Sequence, residues 1–178
     1  AVPQDAYRNS EDVIGKYASS ALYAGDILTK VKLSGNSNSA EDVFASLDGS
    51  NMAVSVTIDT FAAGLSGKLC NGDIISFIVA DKSTGAALIP GELKYMKVIT
   101  TTTAGGIDQD SVVKNEDGSY EIPSTVTVLC NTEQATLLTE YEADTTLQAA
   151  LVYRGDSSTA NKFLEKQEAF FSGGGAGE

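Results

Sequence analysis

Met52-Ala53-Val54-Ser55-Val56-Thr57-Ile58-Asp59 is the stretch that decides the fold class. Met52, Val54, Val56 and Ile58 alternate with Ala53, Ser55, Thr57 and Asp59, a period of two that predicts a half-buried strand. Downstream, Ile74 to Ala80 is apolar on both faces, as a central strand would be. Leu93 to Ile99 and Ser124 to Cys130 read as further strands, and Leu147, Ala149, Leu151 and Tyr153 alternate in a last one. Asp117-Gly118, between Ser111-Val112-Val113 and Ser119-Tyr120-Glu121-Ile122, reads as a hairpin turn.

Helical signals are shorter and lie around these strands. Asn9-Ser10-Glu11-Asp12 offers an N-cap and acidic first turn, with Val13, Ile14 and Tyr17 as an apolar face. After the polar linker Ser34 to Asn38, Ser39-Ala40-Glu41-Asp42 reads as a capping box, with Val43, Phe44 and Leu47 inward. Thr132-Glu133-Gln134 is expected to cap a helix whose Ala135, Leu138 and Tyr141 share one face. Ser158 is expected to cap a peripheral helix through Phe171, followed by a flexible Gly-rich tail. The fold expected is α+β and β-rich, with many short strands and a few peripheral helices. Three stretches follow: residues 1–48, a β-rich domain over 49–155, and the last helix with its tail over 156–178.

Composition narrows the chemistry. The chain of 178 residues is 42% hydrophobic and 20% charged, enough apolar content for one real core. Its net charge of −12 and lack of basic clusters give nucleic acid or an anionic membrane no electrostatic foothold. No apolar run approaches the ~18 residues of a membrane span. The opening at Ala1 is read as an excised fragment or a mature form, with an anchor or leader removed. With no histidine at all, Ser-His-Asp and Cys-His sets are excluded within one chain. Cys70 and Cys130, 60 positions apart, match no zinc pattern; one disulfide or two free thiols both remain open.

Several motifs invite a chemical reading and lose it. Asp108, Asp110 and Glu116-Asp117 do not fit the calcium loop with its closing Glu. Glu140-Tyr141-Glu142 lacks the aromatic platform of a glycosidase acid pair. Gly64-Leu65-Ser66-Gly67-Lys68 lacks the spacing and the Ser/Thr of a phosphate cradle. It reads instead as a tight turn, with Gly67 and Gly72 at positive φ leading into Asp73, and Gly25 marks a second such turn. Cys70 next to Lys68 is read as a thiol whose pKa the lysine could lower. No catalytic residue, cofactor or metal is expected.

The same residues resemble a known family. Ser55-Val56-Thr57-Ile58-Asp59 followed by Phe61 to Ile78 resembles the CpaB/RcpC signature "VSIPVD…VSGVAGFIRPGDRVDVLLT", with Asn71 where the family usually has Pro. Leu93 to Ile99 is similar to "LQNVKVLAV", Thr125 to Ala135 to "TVTLAVTPEQA", and Leu147 to Arg154 to the closing "LRLALR". Upstream, Val2-Pro3, Ile14 to Ala18 and Tyr23 to Thr29 resemble the end of a SAF domain. The blocks are colinear over residues 2–154.

This resemblance implies a β-clip-like arrangement, a partial SAF-like segment over 1–48 and an RcpC/CpaB-like domain over 49–155. It further implies an extracytoplasmic, non-enzymatic scaffold for Flp (Tad) pilus assembly, held at the membrane by an N-terminal anchor. The partners implied are other pilus-assembly proteins, with a secretin where an outer membrane exists. The chain departs from the family in lacking a first SAF strand segment and in its two cysteines. The expected interaction surface is the loop Thr100 to Asp110, with Thr101, Thr102, Thr103 and Ile107, and the turn Gly67 to Asp73, with Lys68 and Asn71. A carbohydrate- or cell-wall-binding module is the alternative, with Tyr17, Tyr23, Tyr95 and Tyr120 as stacking rings.

Overall fold

The computed structural model describes residues 2–18, 22–30, 32–34, 40–108 and 122–173. The hairpin expected at Asp117-Gly118, the linker Gly35 to Asn38, the Ser39 cap, Asp110, Glu116 and residues 174–178 of the tail lie outside them. The fold is α+β, as expected: an open antiparallel sheet with helices packed beside it. Two-residue strands β1 (Tyr17–Ala18) and β2 (Leu33–Ser34) pair near the N-terminus. The main sheet contains β3 (Met52–Thr57), β4 (Ile74–Asp81), β5 (Ala87–Leu88), β6 (Met96–Thr103), β7 (Pro123–Cys130) and β8 (Thr145–Tyr153). The helices are α1 (Ala40–Ala45), α2 (Thr132–Asp144) and α3 (Ser157–Ser172).

The sheet order is β3-β7-β6-β4-β5, with β8 also on β4. β4 pairs with β8 along its whole length but meets β6 only at Ile74↔Lys97 and Ile75↔Met96. Val56, Ile75, Phe77, Val98, Val126 and Val128 form one core with Leu138 of α2, each at most 2% exposed. Each such side chain contributes about 1.5–3 kcal/mol by leaving water. β4 is buried on both faces, and Val54 of β3 and Ile58 just beyond it pack against the core as the alternation requires.

Several expectations need correction. The strand expected over Leu93 to Ile99 starts later, because Gly91–Leu93 forms a 3-10 turn after Pro90. It also ends later, at Thr103, since the β-branched threonines continue the strand instead of opening a loop at Thr100. A bulge between Val98 and Thr100 shifts the register by one residue. Val98 stays in the main core, while Ile99 packs with Ala40 and Val43 of α1, Ala53 and Leu129. Past the bulge, Thr101 stands opposite Val126, which turns it toward the core.

Phe44 and Ile14, expected inward, are exposed, and the N-terminal helix is only a 3-10 turn over Ser10–Asp12. A helix of six residues buries one stripe, and in α1 Ala40 and Val43 occupy it. Leu151 is also exposed, near the bulge at Ile74/Ile75 where β8 slips against β4. The helix caps sit earlier than expected. Asn131 closes α2 through a reciprocal capping box with Gln134, and Asp156 caps α3 by accepting from Thr159 N–H at 2.8 Å.

Candidate functional site

The turn from Asp59 to Asp73 is the segment on which sequence and structure concentrate. It folds back by consecutive short-range bonds, including Ser66 N–H to Phe61 O at 2.9 Å and Gly67 N–H to Gly64 O at 3.1 Å. Leu65 and Ser66 have φ of 52° and 54°, a left-handed geometry that costs each about 1–2 kcal/mol. Leu65 packs against the main core and Leu69 is 1% exposed, so burial offsets that strain. Gly67 and Gly72 have φ of 68° and 85°, the positive-φ turns expected, and Gly25 has φ of 95°. The turn is tied to the sheet by Ala149 N–H to Ala63 O at 2.8 Å and Gly72 N–H to Val98 O at 2.9 Å.

Asp73 closes the turn, and its side chain is 1% exposed. Its carboxylate accepts from Arg154 Nε at 2.7 Å and Arg154 Nη2 at 2.6 Å, a bidentate fork, and from Cys70 N–H at 2.8 Å. Arg154 Nη2 also donates to Lys68 O at 2.6 Å. The hydrogen bond to Asp73 raises the Arg154 pKa most; partial loss of solvation opposes it, and the carboxylate charge adds a lesser push upward. Arg154 therefore ties the end of β8 to a turn far away in sequence. The turn's glycines and Asp73 were legible as fold-making residues, whereas Arg154 read only as the last residue of a strand. The signal that could have found it is a lone basic residue ending an apolar strand, in a fold that buries a carboxylate.

The remaining expected residues separate. Lys68 is exposed and Asn71 half-buried, both on the turn. Thr101 and Thr103 are 1% and 3% exposed, so these two strand residues are not open to a partner as loop residues would be. Thr102 is half-buried and donates to Asp108 Oδ1 at 2.8 Å. Ile107 is exposed where it closes the turn that follows β6, its backbone bonded to Thr103, and Gly106 before it has φ of 81°. Of the four tyrosines, Tyr17 and Tyr23 are exposed, Tyr95 packs on Phe163 at 5.3 Å, and Tyr120 lies outside the described residues.

Cys70 and Cys130 are both free thiols. Lys68 does not lower the Cys70 pKa, which is raised. Partial burial raises it most; the Asp73 carboxylate adds to this, and Arg154 opposes it. Cys130 is buried, which pushes its thiol up to about 11. Neither is a thiolate at neutral pH, and neither has the environment of a reactive cysteine.

A large share of the exposed apolar surface lies before β2. Ile14 is 77% and Tyr23 74% exposed, and Val2, Tyr17, Leu22 and Ile27 are also open to solvent. This segment is held mainly by backbone bonds, such as Tyr7 N–H to Leu28 O at 2.9 Å, and by the Lys32–Asp26 ion pair at 3.0 Å. Among the described residues, no cluster of His, Cys, Asp and Glu has the arrangement of a metal site. No helix there is long and apolar enough to cross a membrane. Compared with known proteins, the chain matches no family model, no curated protein and no solved structure.

Proposed function

We propose that this protein is a non-enzymatic, extracytoplasmic scaffold for Flp (Tad) pilus assembly, of the CpaB/RcpC kind. The observation that carries the reading is the Asp73–Arg154 clasp. The block Phe61 to Ile78, which contains Asp73, and the block Leu147 to Arg154 resemble the family's signature and its final strand. They were matched separately along the sequence, and in the fold they close on each other through one buried carboxylate. The clasp lies where β4 begins and the paired β8 ends, and it supports reading the two blocks as one unit.

A scaffold acts through surfaces, and two features suit that role. The N-terminal segment leaves large apolar side chains open to solvent, beyond the scattered ones that any surface carries. Ile107 and Lys68 stand exposed on turns fixed to the sheet, so a partner would meet an ordered surface. The partners in this reading are other pilus-assembly proteins, including a secretin where an outer membrane exists. An N-terminal anchor would hold the body at the cytoplasmic membrane.

Deletion of the gene in its own organism tests the reading, with surface pili counted by electron microscopy. Loss of Flp pili, restored by the full-length protein, is the expected result. Unchanged piliation would overturn it.

A further inference from the structure

A cleft of ≈ 400 Å³ lies between the start of α2, the end of β7 and the second half of α3. Phe171 and Glu168 line it from α3, and Asn51, Cys130 and Asn131 from the other side. Glu168 is the one formally charged residue in the lining, and no Lys or Arg belongs to it. Glu168 has no ion-pair partner among the described residues.

Most other polar groups of the lining are already engaged within the protein. Gln134 accepts from Asn131 N–H and donates to Glu92 O, and Gln167 accepts from Tyr95 N–H and donates to Gly91 O. Cys130 Sγ donates to Met52 O and Ser172 Oγ to Glu168 O. Tyr95 already has the Phe163 ring and the Lys94 ammonium against it. Asn131 Oδ1 accepts from Gln134 N–H, so what remains for a ligand is the Glu168 carboxylate, the Asn51 carbonyl oxygen and the Phe171 ring, which meets Phe170 at 5.6 Å.

The helix ends set the sign. α2 begins at the cleft, but its capping box satisfies the Asn131 and Gln134 N–H groups and Glu133 adds negative charge there. α3 ends at the cleft with no basic residue in its last turn, so the negative end of its dipole is not offset. An anion finds no basic side chain in the lining, whereas a cation finds a carboxylate, the Asn51 carbonyl oxygen and an aromatic ring together. The net charge of −12 attracts basic partners from a distance.

We propose that this cleft takes a single lysine or arginine side chain from a basic segment of a protein partner. This rests on the scaffold reading for the existence of a partner, whereas its chemistry comes from the cleft alone. The two can fail separately, since one is read from pili on cells and the other from binding in solution.

The test is an NMR titration of the whole chain with acetyl-Gly-Arg-Gly-amide and with its citrulline counterpart, which has nearly the same shape and no charge. Saturable shifts at Asn51, Asn131, Glu168 and Phe171 with the arginine peptide, and none with citrulline, are expected. Glu168→Gln weakens the arginine peptide about fivefold, as loss of an exposed ion pair would. Phe171→Leu, which keeps the apolar packing, weakens it about threefold through loss of the ring. Equal shifts with both peptides, or shifts spread over the acidic surface and unaffected by Glu168→Gln, would overturn the proposal.

Discussion

At the scale of single residues, the account depends most on Asp73. Its carboxylate is buried and held by an arginine that is 46% exposed. Removing Arg154 leaves the carboxylate with one backbone donor, Cys70 N–H, and little water. Arg154→Ala is expected to cost about 2–4 kcal/mol, below the figure for a fully buried pair because Arg154 is half in solvent. Arg154→Lys keeps the charge but loses the bidentate fork, so it should lie between the two. Denaturant unfolding of the three proteins checks the order; an alanine variant as stable as the parent would contradict it.

Asp81 is the clearest titrating residue. One of its carboxylate oxygens accepts from Ser83 Oγ, Thr84 N–H and Ser83 N–H, and these bonds hold its pKa at about 2. A lowered acid stabilises the fold above its ordinary pKa of 3.8, and that contribution is lost as the pH falls toward about 2. The Asp81 carboxyl carbon should therefore titrate by NMR with a midpoint near 2. A midpoint near 3.8 would mean that the turn's hydrogen bonds do not hold in solution.

Among the elements, α2 is the one whose start is most specified. Asn131 accepts from Gln134 N–H at 2.9 Å while the Gln134 side chain accepts from Asn131 N–H at 3.0 Å. Gln134 continues inward to Glu92 O, so a single residue both caps the helix and fixes the 3-10 turn. Asn131→Ala is expected to cost about 1 kcal/mol, the usual value of an N-cap. Asn131→Asp, which keeps the acceptor at a helix N-terminus, should cost much less. Thermal melts of both variants decide this, and equal losses would contradict the capping role.

Most strands were legible because their patterns are local. β3 has a clean alternation, and the doubly apolar β4 could only be central. β6 was misread because its bulge changes the phase at Ile99, and no periodicity carries across such a break. Thr100 to Thr103 are polar enough to read as a loop, yet they are β-branched residues paired to β7. The helix caps were misplaced by a residue or two, since competing polar residues stand side by side at Asn131-Thr132 and at Asp156 to Ser158. The turn around Gly67 and Gly72 was legible from its glycines. Its partner Arg154, 81 positions from Asp73, was not, because nothing local marks so distant an ion pair.

The whole molecule is an ordered sheet body with an N-terminal segment that leaves its large apolar residues exposed. The central claim is that it works by holding other pilus-assembly proteins, and exposed Lys68 and Ile107 are the places from which to read this. A photo-reactive residue at either position, in the full-length protein in its own cells, tests that contact directly. Covalent adducts with Flp/Tad assembly proteins, identified by mass spectrometry and absent when the probe stands at buried Phe77, are the predicted result. Cells that assemble pili normally while neither probe captures any of those proteins would contradict the account.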